Sequence, residues 1–252
     1  MPLAADIFYQ VYQRGEKTPV VLLHSAGGSL LSWPAEIRRL PGYRTYALDL
    51  PGHGKSGGQG HQSISSYANV VIGWMSAIGL DRAVFVGHSM GSAIAQTLAL
   101  AHPDQVLGLA LIGSAASLPV NPRLLSETAH QTTFHKAVER VIAWSFGPQT
   151  PQKIKSLVAK RLAETHPSVL HGDFLACNSF DLTSRLHEIR QPTLVICGSL
   201  DKMTPVRNAH FLIDNLPSAR LDIIQGAGHM VMLERPREVA TSLAQFLRQI
   251  EY

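Results

Sequence analysis

Short apolar runs rich in β-branched residues alternate along most of this chain with stretches of helical periodicity. The runs predict strands at Val20–His24, Thr45–Leu50, Ala83–Val86, Val106–Ile112, Pro192–Cys197 and Arg220–Ile224. The stretches between them predict helices at Trp33–Leu40, Ile64–Ile78, Ser89–Ala101, Pro205–Leu216 and Pro236–Ile250. Such alternation is typical of a parallel sheet with helices on both faces. We therefore predict a doubly wound, mostly parallel α/β fold. An earlier strand, Ile7–Gln13, should pair antiparallel at the sheet edge, and the short N-terminus leaves little room for another strand before it.

The alternation breaks once, between about Ser114 and Gln191, where no strand-like run occurs. Amphipathic patterns there predict helices at Pro122–Phe146, Pro151–Thr165, Pro167–Phe180 and Leu182–Ile189. We therefore predict an α/β core at residues 1–113 and 191–252 and an inserted helical cap at residues 114–190. Open α/β sheets bind ligands at the C-terminal ends of their strands, so a cap over that edge would enclose a substrate pocket.

Composition and charge narrow the class of protein. The 252 residues are 45% hydrophobic, enough for one full core. The net charge of +4 comes from scattered Lys and Arg, which gives no support for nucleic-acid binding. No window resembles a membrane span or a secretory signal, and we expect a cytoplasmic protein without membrane binding. Cys177 and Cys197 lie far apart and outside any zinc-like spacing, so buried free thiols are expected. The oligomeric state stays open.

The run Gly87-His88-Ser89-Met90-Gly91 lies between a predicted strand and a predicted helix. A serine hydroxyl needs an adjacent base and donors for the charge that develops during attack. At a sharp strand-to-helix turn, glycines two positions before and after the serine relieve crowding, and the helix N-terminus favours an oxyanion. Ser89 is therefore a candidate nucleophile.

The partners of Ser89 should lie in loops that follow strands, because only those loops reach the same sheet edge. His229 follows the last predicted strand in a glycine-rich loop and is the candidate base. Asp201 follows the strand before it and is the candidate acid. Asp49 is its competitor, although it lies in a tight turn where an aspartate is more typical as a cap of backbone amides. Three other histidines near strands are expected to bond local backbone and shape loops, namely His24, His53 and His88.

Two other classes of site fit this sequence poorly. The segment Gly52–Gly57 matches the dinucleotide-binding pattern Gly-x-Gly-x-x-Gly, but Gly58–His61 extends the loop where that motif requires a helix. A metal site built from His24, His88 and His229 lacks helical ligand spacing and an acid cluster. We therefore expect neither a nucleotide nor a metal.

The chain order Ser89, Asp201, His229 within this alternation resembles the α/β-hydrolase family over essentially the whole chain. Leu22–Gly28 is similar to the family's oxyanion loop, Asp49–Ser56 to its loop after the next strand, and Gly228–Pro236 to its terminal histidine segment. Ser25 and Ser92 stand where the family usually has glycine. The resemblance implies that the amides of Ala26 and Met90 form an oxyanion hole, that no cofactor or metal is needed, and that the partner is a small ester-like substrate.

Within that family, the serine nucleophile argues against the branches that use aspartate. We expect a carboxylesterase-like hydrolase that cleaves esters of small to medium acyl chains. Enol-lactone hydrolysis and C–C bond hydrolysis stay open as alternatives, the second weakened because Met230, not tryptophan, follows His229. A weakly catalytic small-molecule receptor on the same scaffold is a further alternative. Four residues are predicted to line the substrate pocket: Trp144, Phe146, Phe174 and Met230.

Overall fold

A computed structural model describes residues 2–12 and 17–250 of the chain. Its strands form one sheet in the order β1-β2-β4-β3-β5-β6-β7-β8, with β1/β2 and β2/β4 antiparallel and every other pair parallel. The strands are β1 (Leu3–Ala4), β2 (Ile7–Tyr12), β3 (Lys17–Leu23), β4 (Tyr43–Leu48), β5 (Ala83–His88), β6 (Val106–Ile112), β7 (Thr193–Gly198) and β8 (Ala219–Ile224). This is the predicted doubly wound, mostly parallel sheet.

Helices cover both faces of the sheet. They are α1 (Ala35–Arg38), α2 (Ile64–Ala77), α3 (Met90–Ala101), α4 (Pro122–Thr128), α5 (Phe134–Ser145), α6 (Gln152–Glu164), α7 (Pro167–Asn178), α8 (Val206–Asn215), α9 (Val231–Glu234) and α10 (Pro236–Leu247). Helices α2, α3 and α8 pack in the core cluster that contains Trp74 and Phe85. Helices α1, α9 and α10 pack in the cluster of the opposite face, around Trp33 and Phe246. All residues of β5 and β7 are buried, which explains why these strands are almost continuously apolar.

Four helices, α4 to α7, lie between β6 and β7, and we call them the cap helices. They share a small hydrophobic cluster of their own, lined by Leu124, Phe134, Ala137, Val138, Val141, Leu162, Leu170 and Phe174. The division of the chain into a core and a cap at residues 114–190 stays a prediction.

The cap helices differ from the predicted ones at two points. The helix predicted at Pro122–Phe146 is two helices, because the chain turns between α4 and α5. The Thr133 hydroxyl donates to the carbonyl of Glu127 at 2.8 Å there, and such a bond competes with helix continuation. The helix predicted at Leu182–Ile189 is a single 3-10 turn at Leu186–Glu188. The Asp181 carboxylate accepts from the Thr183 amide at 2.8 Å and favours a turn at its start.

The N-terminal region and the first helix also differ from expectation. β2 is not an edge strand, because β1 pairs with it after a tight turn at Ala5 and Asp6, whose φ angles are 47° and 60°. The predicted end of β2, Gln13, lies outside the described residues. The predicted helix Trp33–Leu40 is reduced to α1, since Pro34 holds the backbone before the helix extended.

Candidate active site

Ser89 lies at the turn between β5 and α3, with a φ of 53°. A positive φ at a residue other than glycine is strained by about 1–3 kcal/mol, and such strain is concentrated at functional sites. A Cβ on Gly87 would lie 2.2 Å from the Gly91 carbonyl oxygen, and one on Gly91 would lie 2.1 Å from the Leu23 carbonyl oxygen. Only glycine fits at either position, so this sequence can form this tight turn.

Asp201 and His229 meet over the ends of the neighbouring strands. Asp201 follows β7, His229 follows β8, and the His229 Nδ1 lies 2.9 Å from the Asp201 Oδ2. Both side chains are almost fully buried. The carboxylate only accepts, so Nδ1 carries the proton and Nε2 is left as the lone-pair nitrogen of the neutral ring.

The Asp201 carboxylate is held by four hydrogen bonds. Besides His229, the amides of Met203 and Thr204 donate to Oδ1 at 2.8 Å, and the Thr204 hydroxyl donates to Oδ2 at 2.8 Å. Burial raises the pKa of Asp201, but the opposing effects of His229 and of the Thr204 bonds are larger in sum and lower it below its usual range. The group therefore stays ionised at neutral pH.

The imidazole of His229 lies close to the turn that holds Ser89. The Ser89 amide donates to the Ile112 carbonyl at 2.9 Å, and Gly113 follows Ile112 at the end of β6. A Cβ on Gly113 would lie 3.0 Å from both Cε1 and Nδ1 of His229, so the ring packs directly on this glycine. The His229 Nε2 and the Ser89 hydroxyl make no hydrogen bond to residues that the structure describes. Both remain available to a substrate and to each other.

Two backbone amides near Ser89 are free to donate. The N–H groups of Ala26 and Met90 have no acceptor among residues 2–12 and 17–250, and Met90 begins α3, where the helix dipole favours negative charge. Ala26 and Ser89 line the same cavity, of about 550 Å³. Two N–H groups of this kind can stabilise an oxyanion that forms between them.

The four residues predicted to line a substrate pocket have three different placements. Trp144 and Phe174 line the cavity that contains Ser89. Met230 lines a second cavity, of about 490 Å³, which shares Ala26 with the first. Phe146 lines neither of these cavities. It is buried in the core cluster with Met230, because its backbone packs on Gly228, where a Cβ would lie 2.8 Å from the Phe146 carbonyl carbon.

The competing acid, Asp49, caps backbone amides. Its Oδ1 accepts from the Leu30 amide at 2.7 Å and its Oδ2 from the Lys55 amide at 2.9 Å. Burial raises the pKa of Asp49. No hydrogen bond joins Asp49 to His229 within the described part of the chain.

The other three histidines near strands are all buried, and all of them reach farther than expected. The Nδ1 of His24 donates to the adjacent Ser25 carbonyl, but its Nε2 accepts from the Leu50 amide, 26 residues along the chain, and burial holds its pKa well below 6.5. The Nε2 of His88 donates to the His229 carbonyl at 3.0 Å, and burial lowers the pKa of His88 to about 3. The third, His53, contacts Asp173 of α7 at 2.8 Å.

Sequence reasoning missed the polar residues that support Ser89 and Asp201. Ser92, noted only as a departure from glycine, donates to the Ser89 carbonyl at 2.6 Å and is linked to Ser114 at 2.7 Å. Thr204 bonds Asp201, and the spacing Asp-x-x-Thr was the signal that could have identified it. No comparable local signal marks Asp173.

Metal-binding clusters and membrane-spanning helices are both absent from the described residues. Among the residues that it describes, no group of three or more His, Cys, Asp or Glu side chains is arranged to hold a metal ion. No helix in the described ranges is long and apolar enough to cross a membrane.

Comparison with known proteins decides the family. The model of the α/β hydrolase fold family matches residues 18–236, which is most of the chain. The chain is an α/β hydrolase. This α/β hydrolase is 30% identical over 259 aligned positions to the pimeloyl-[acyl-carrier protein] methyl ester esterase of Photorhabdus laumondii, covering 96% of each chain.

Solved structures support the same assignment. A structure described as a thermophilic esterase is 31% identical, with a TM-score of 0.83 over 97% of this hydrolase and 94% of that chain. The enol-lactonase of Burkholderia xenovorans LB400 shares the fold with a TM-score of 0.91 at 24% identity, covering 98% and 100% of the two chains. The predicted fold family is confirmed, and so is the predicted class of enzyme, a carboxylesterase-like hydrolase.

Proposed function

We propose that this α/β hydrolase cleaves carboxylic esters of small to medium acyl chains through a Ser89–His229–Asp201 triad. One observation carries the proposal. A buried Asp201–His229 pair is joined at 2.9 Å, and its imidazole packs on Gly113, next to Ile112, whose carbonyl accepts from the Ser89 amide. Ester hydrolysis itself is supported by the similarity to named esterases.

The reaction has two halves. In the first, the Ser89 Oγ attacks the ester carbonyl carbon while the His229 Nε2 takes the hydroxyl proton, and the carbonyl oxygen becomes an oxyanion held by the amides of Ala26 and Met90. The alcohol then leaves with the proton from Nε2, and the acyl group stays on Ser89. In the second half, water attacks the acyl carbon and gives a proton to Nε2. The bond between the acyl carbon and the Ser89 Oγ then breaks, Oγ takes that proton back from Nε2, and the acid is released. Asp201 keeps the Nδ1 proton in place throughout.

The cavity beside Ser89 supports the acyl range. Its volume of about 550 Å³ lies within the usual range of small-molecule pockets, and Trp144, Leu124 and Phe174 line it with apolar surface. An acyl group of small to medium length would be desolvated there.

The names of the relatives suggest a methyl ester as the substrate, with methanol as the leaving alcohol. Esterases named for a pimeloyl-[acyl-carrier protein] methyl ester are about 30% identical to this chain over nearly its full length. A medium-chain acyl methyl ester, free or attached to a carrier protein, is therefore a second candidate substrate. The cytoplasmic location stays a prediction.

The test is turnover across a substrate series. p-Nitrophenyl esters from two to twelve acyl carbons, a pimeloyl methyl ester, an enol-lactone and a C–C cleavage substrate would be compared in steady-state assays. We expect kcat/KM to be largest for an ester of short or medium acyl chain and to fall to background in Ser89→Ala. Ser156→Ala, an exposed serine on α6, is the matched control and should retain full activity.

Two results would contradict the proposal. Faster cleavage of the lactone or of the C–C bond than of every ester would assign a different substrate to the same site. Tight binding of ligands with at most one turnover per molecule would indicate the receptor alternative.

A further inference from the structure

A carboxylate from the cap helices is buried beneath the loop that carries Ala26. Asp173, on α7, is fully buried and accepts three hydrogen bonds from residues outside its own helix. They come from the His53 Nε2 at 2.8 Å, the Tyr67 hydroxyl at 2.5 Å and the Gly27 amide at 2.8 Å. A buried charge with this many partners is costly to disrupt, since each donor would lose its acceptor.

Gly27 is contacted by residues of α6 and α7 and by Thr165, which follows α6. Its amide donates to Asp173, and its carbonyl accepts from the Thr165 hydroxyl at 2.9 Å. A Cβ at this position would lie 2.4 Å from Leu162 and 2.8 Å from Leu170, so the apolar side chains of α6 and α7 pack against the bare Cα. The φ of Gly27 is 62°, a conformation that also favours glycine.

Each of the two peptide planes that flank Ala26 is held by hydrogen bonds of its own. The plane before Ala26 contains the Ser25 carbonyl, which accepts from the Gly28 amide at 2.9 Å and from the His24 Nδ1 at 2.8 Å. The plane after Ala26 contains the Gly27 amide, which Asp173 holds. The Ala26 N–H lies in the first of these planes, and holding the second plane as well restricts φ and ψ of Ala26 and so limits rotation of that N–H.

We propose that Asp173 is a positioning residue for the oxyanion hole, which it orders from the cap by fixing the Ala26–Gly27 peptide. This inference rests on the proposed function, because it takes the Ala26 amide as an oxyanion donor. Thr165 assists Asp173 from the other end of Gly27. Contacts from Asp173 and Thr165 thus order a residue next to the proposed oxyanion donor.

His53 supplies the charge that lets this carboxylate stay buried. Its Nε2 faces the Asp173 Oδ2 and its Nδ1 faces the Pro51 carbonyl at 3.0 Å, and both of these partners only accept. An imidazole that donates from both nitrogens is protonated. Burial lowers the pKa of His53, but the Asp173 carboxylate, with smaller contributions from Pro51 and Asp49, outweighs that effect and raises it.

The test compares two variants with a matched control. Asp173→Asn keeps the shape and removes the charge, and Thr165→Val removes only the hydroxyl that holds the Gly27 carbonyl. Glu127→Gln is the control, because Glu127 is a buried carboxylate on α4 that binds Arg140 at 2.7 Å and does not contact Gly27. Each protein is assayed for kcat and KM with p-nitrophenyl butyrate. The Ki of a trifluoromethyl ketone, whose serine adduct places an oxyanion in the hole, and the Ki of butyrate, which makes no adduct, are measured as well.

In Asp173→Asn we expect kcat to fall by roughly 10² with KM changed less than threefold, as for loss of one oxyanion donor. The Ki of the ketone should rise by a similar factor, and the Ki of butyrate should not change. In Thr165→Val, kcat should fall and the ketone Ki should rise by about fivefold each. In Glu127→Gln, both constants should stay within about twofold of those of the natural chain.

The inference is overturned if both variants lower the melting temperature but leave kcat and the ketone Ki unchanged, since Asp173 would then only fasten the cap. A rise in KM with unchanged kcat also overturns it. If Asp173→Asn does not fold, Thr165→Val decides alone. Failure of the proposed function looks different, because Ser89→Ala would then keep the natural turnover.

Discussion

Two buried aspartate–histidine pairs lie in this molecule, and they differ in what the second imidazole nitrogen faces. His229 contacts Asp201 at 2.9 Å and His53 contacts Asp173 at 2.8 Å. The second nitrogen of His229 has no hydrogen-bond partner among the described residues, and the ring packs on Gly113, close to the turn that holds Ser89. The second nitrogen of His53 is used by the Pro51 carbonyl.

The difference teaches that proximity of the two residue types does not make a catalytic pair. A base must be able to take a proton and give it back, so one nitrogen has to be unpaired in the resting state. The ring of His53 has both nitrogens committed to acceptors and functions as a fixed cation. We therefore expect the first pair to control turnover and the second to control stability and loop geometry.

The largest expected effect separates the two histidines. His229→Gln should lower kcat for p-nitrophenyl butyrate by about 10⁴-fold to 10⁶-fold with little change in melting temperature, because the base is lost. His53→Gln should lower kcat by no more than about tenfold. Steady-state kinetics and circular dichroism on both proteins check this, and comparable losses of kcat would erase the distinction between the pairs.

The next effect concerns the acid. Asp201→Asn should lower kcat by about 10⁴-fold, since an amide that donates to the Nδ1 position favours the wrong tautomer. Asp49→Asn should lower kcat by about tenfold or less, because Asp49 accepts from the Leu30 and Lys55 amides and does not reach His229. If the Asp49 substitution is the more damaging in the same assay, Asp201 is not the acid.

The smallest effect is the pH dependence of stability. Because the folded pKa of His53 is raised, its contribution is complete below the unfolded value near 6.5 and is lost as the pH rises through the folded pKa. His53→Gln should therefore lower the free energy of unfolding by roughly 3 kcal/mol at pH 6 and by less at pH 9. Urea denaturation at both pH values measures the two differences.

A control for that measurement is Glu127→Gln. Its hydrogen bond with Arg140 lowers the pKa of Glu127 to about 2, so this pair does not titrate between pH 6 and pH 9. Its effect on stability should be the same at both values. A His53→Gln difference that is equally independent of pH would mean that His53 is not a buried cation.

The contact between Asp201 and His229 could be predicted from the sequence, whereas the contact between His53 and Asp173 could not. Ser89, Asp201 and His229 each follow a strand, and in a parallel sheet the strand ends share one edge, so local patterns indicate their convergence. Asp173 lies in the middle of a helix. Its contact with His53 depends on how a cap helix docks, which no local pattern specifies.

Phe146 and Thr133 show the same limit in different ways. Its spacing alone predicts that Phe146 lines a pocket. Its backbone, however, lies close to Gly228, and its side chain is buried in the core cluster instead. At Thr133, side-chain bonding to backbone breaks a helix whose hydrophobic periodicity continues through the break. Periodicity reports which face is apolar and not which neighbour will cover it.

Covalent labelling tests the central claim most directly. The chain would be treated with a fluorophosphonate at pH 8, and the labelled residue and its rate of labelling would be read by peptide mass spectrometry. We expect one label, on Ser89, whose rate falls at least a thousandfold in His229→Gln and less than tenfold in His53→Gln. Rapid labelling in His229→Gln, or labelling of a residue other than Ser89, would contradict the account.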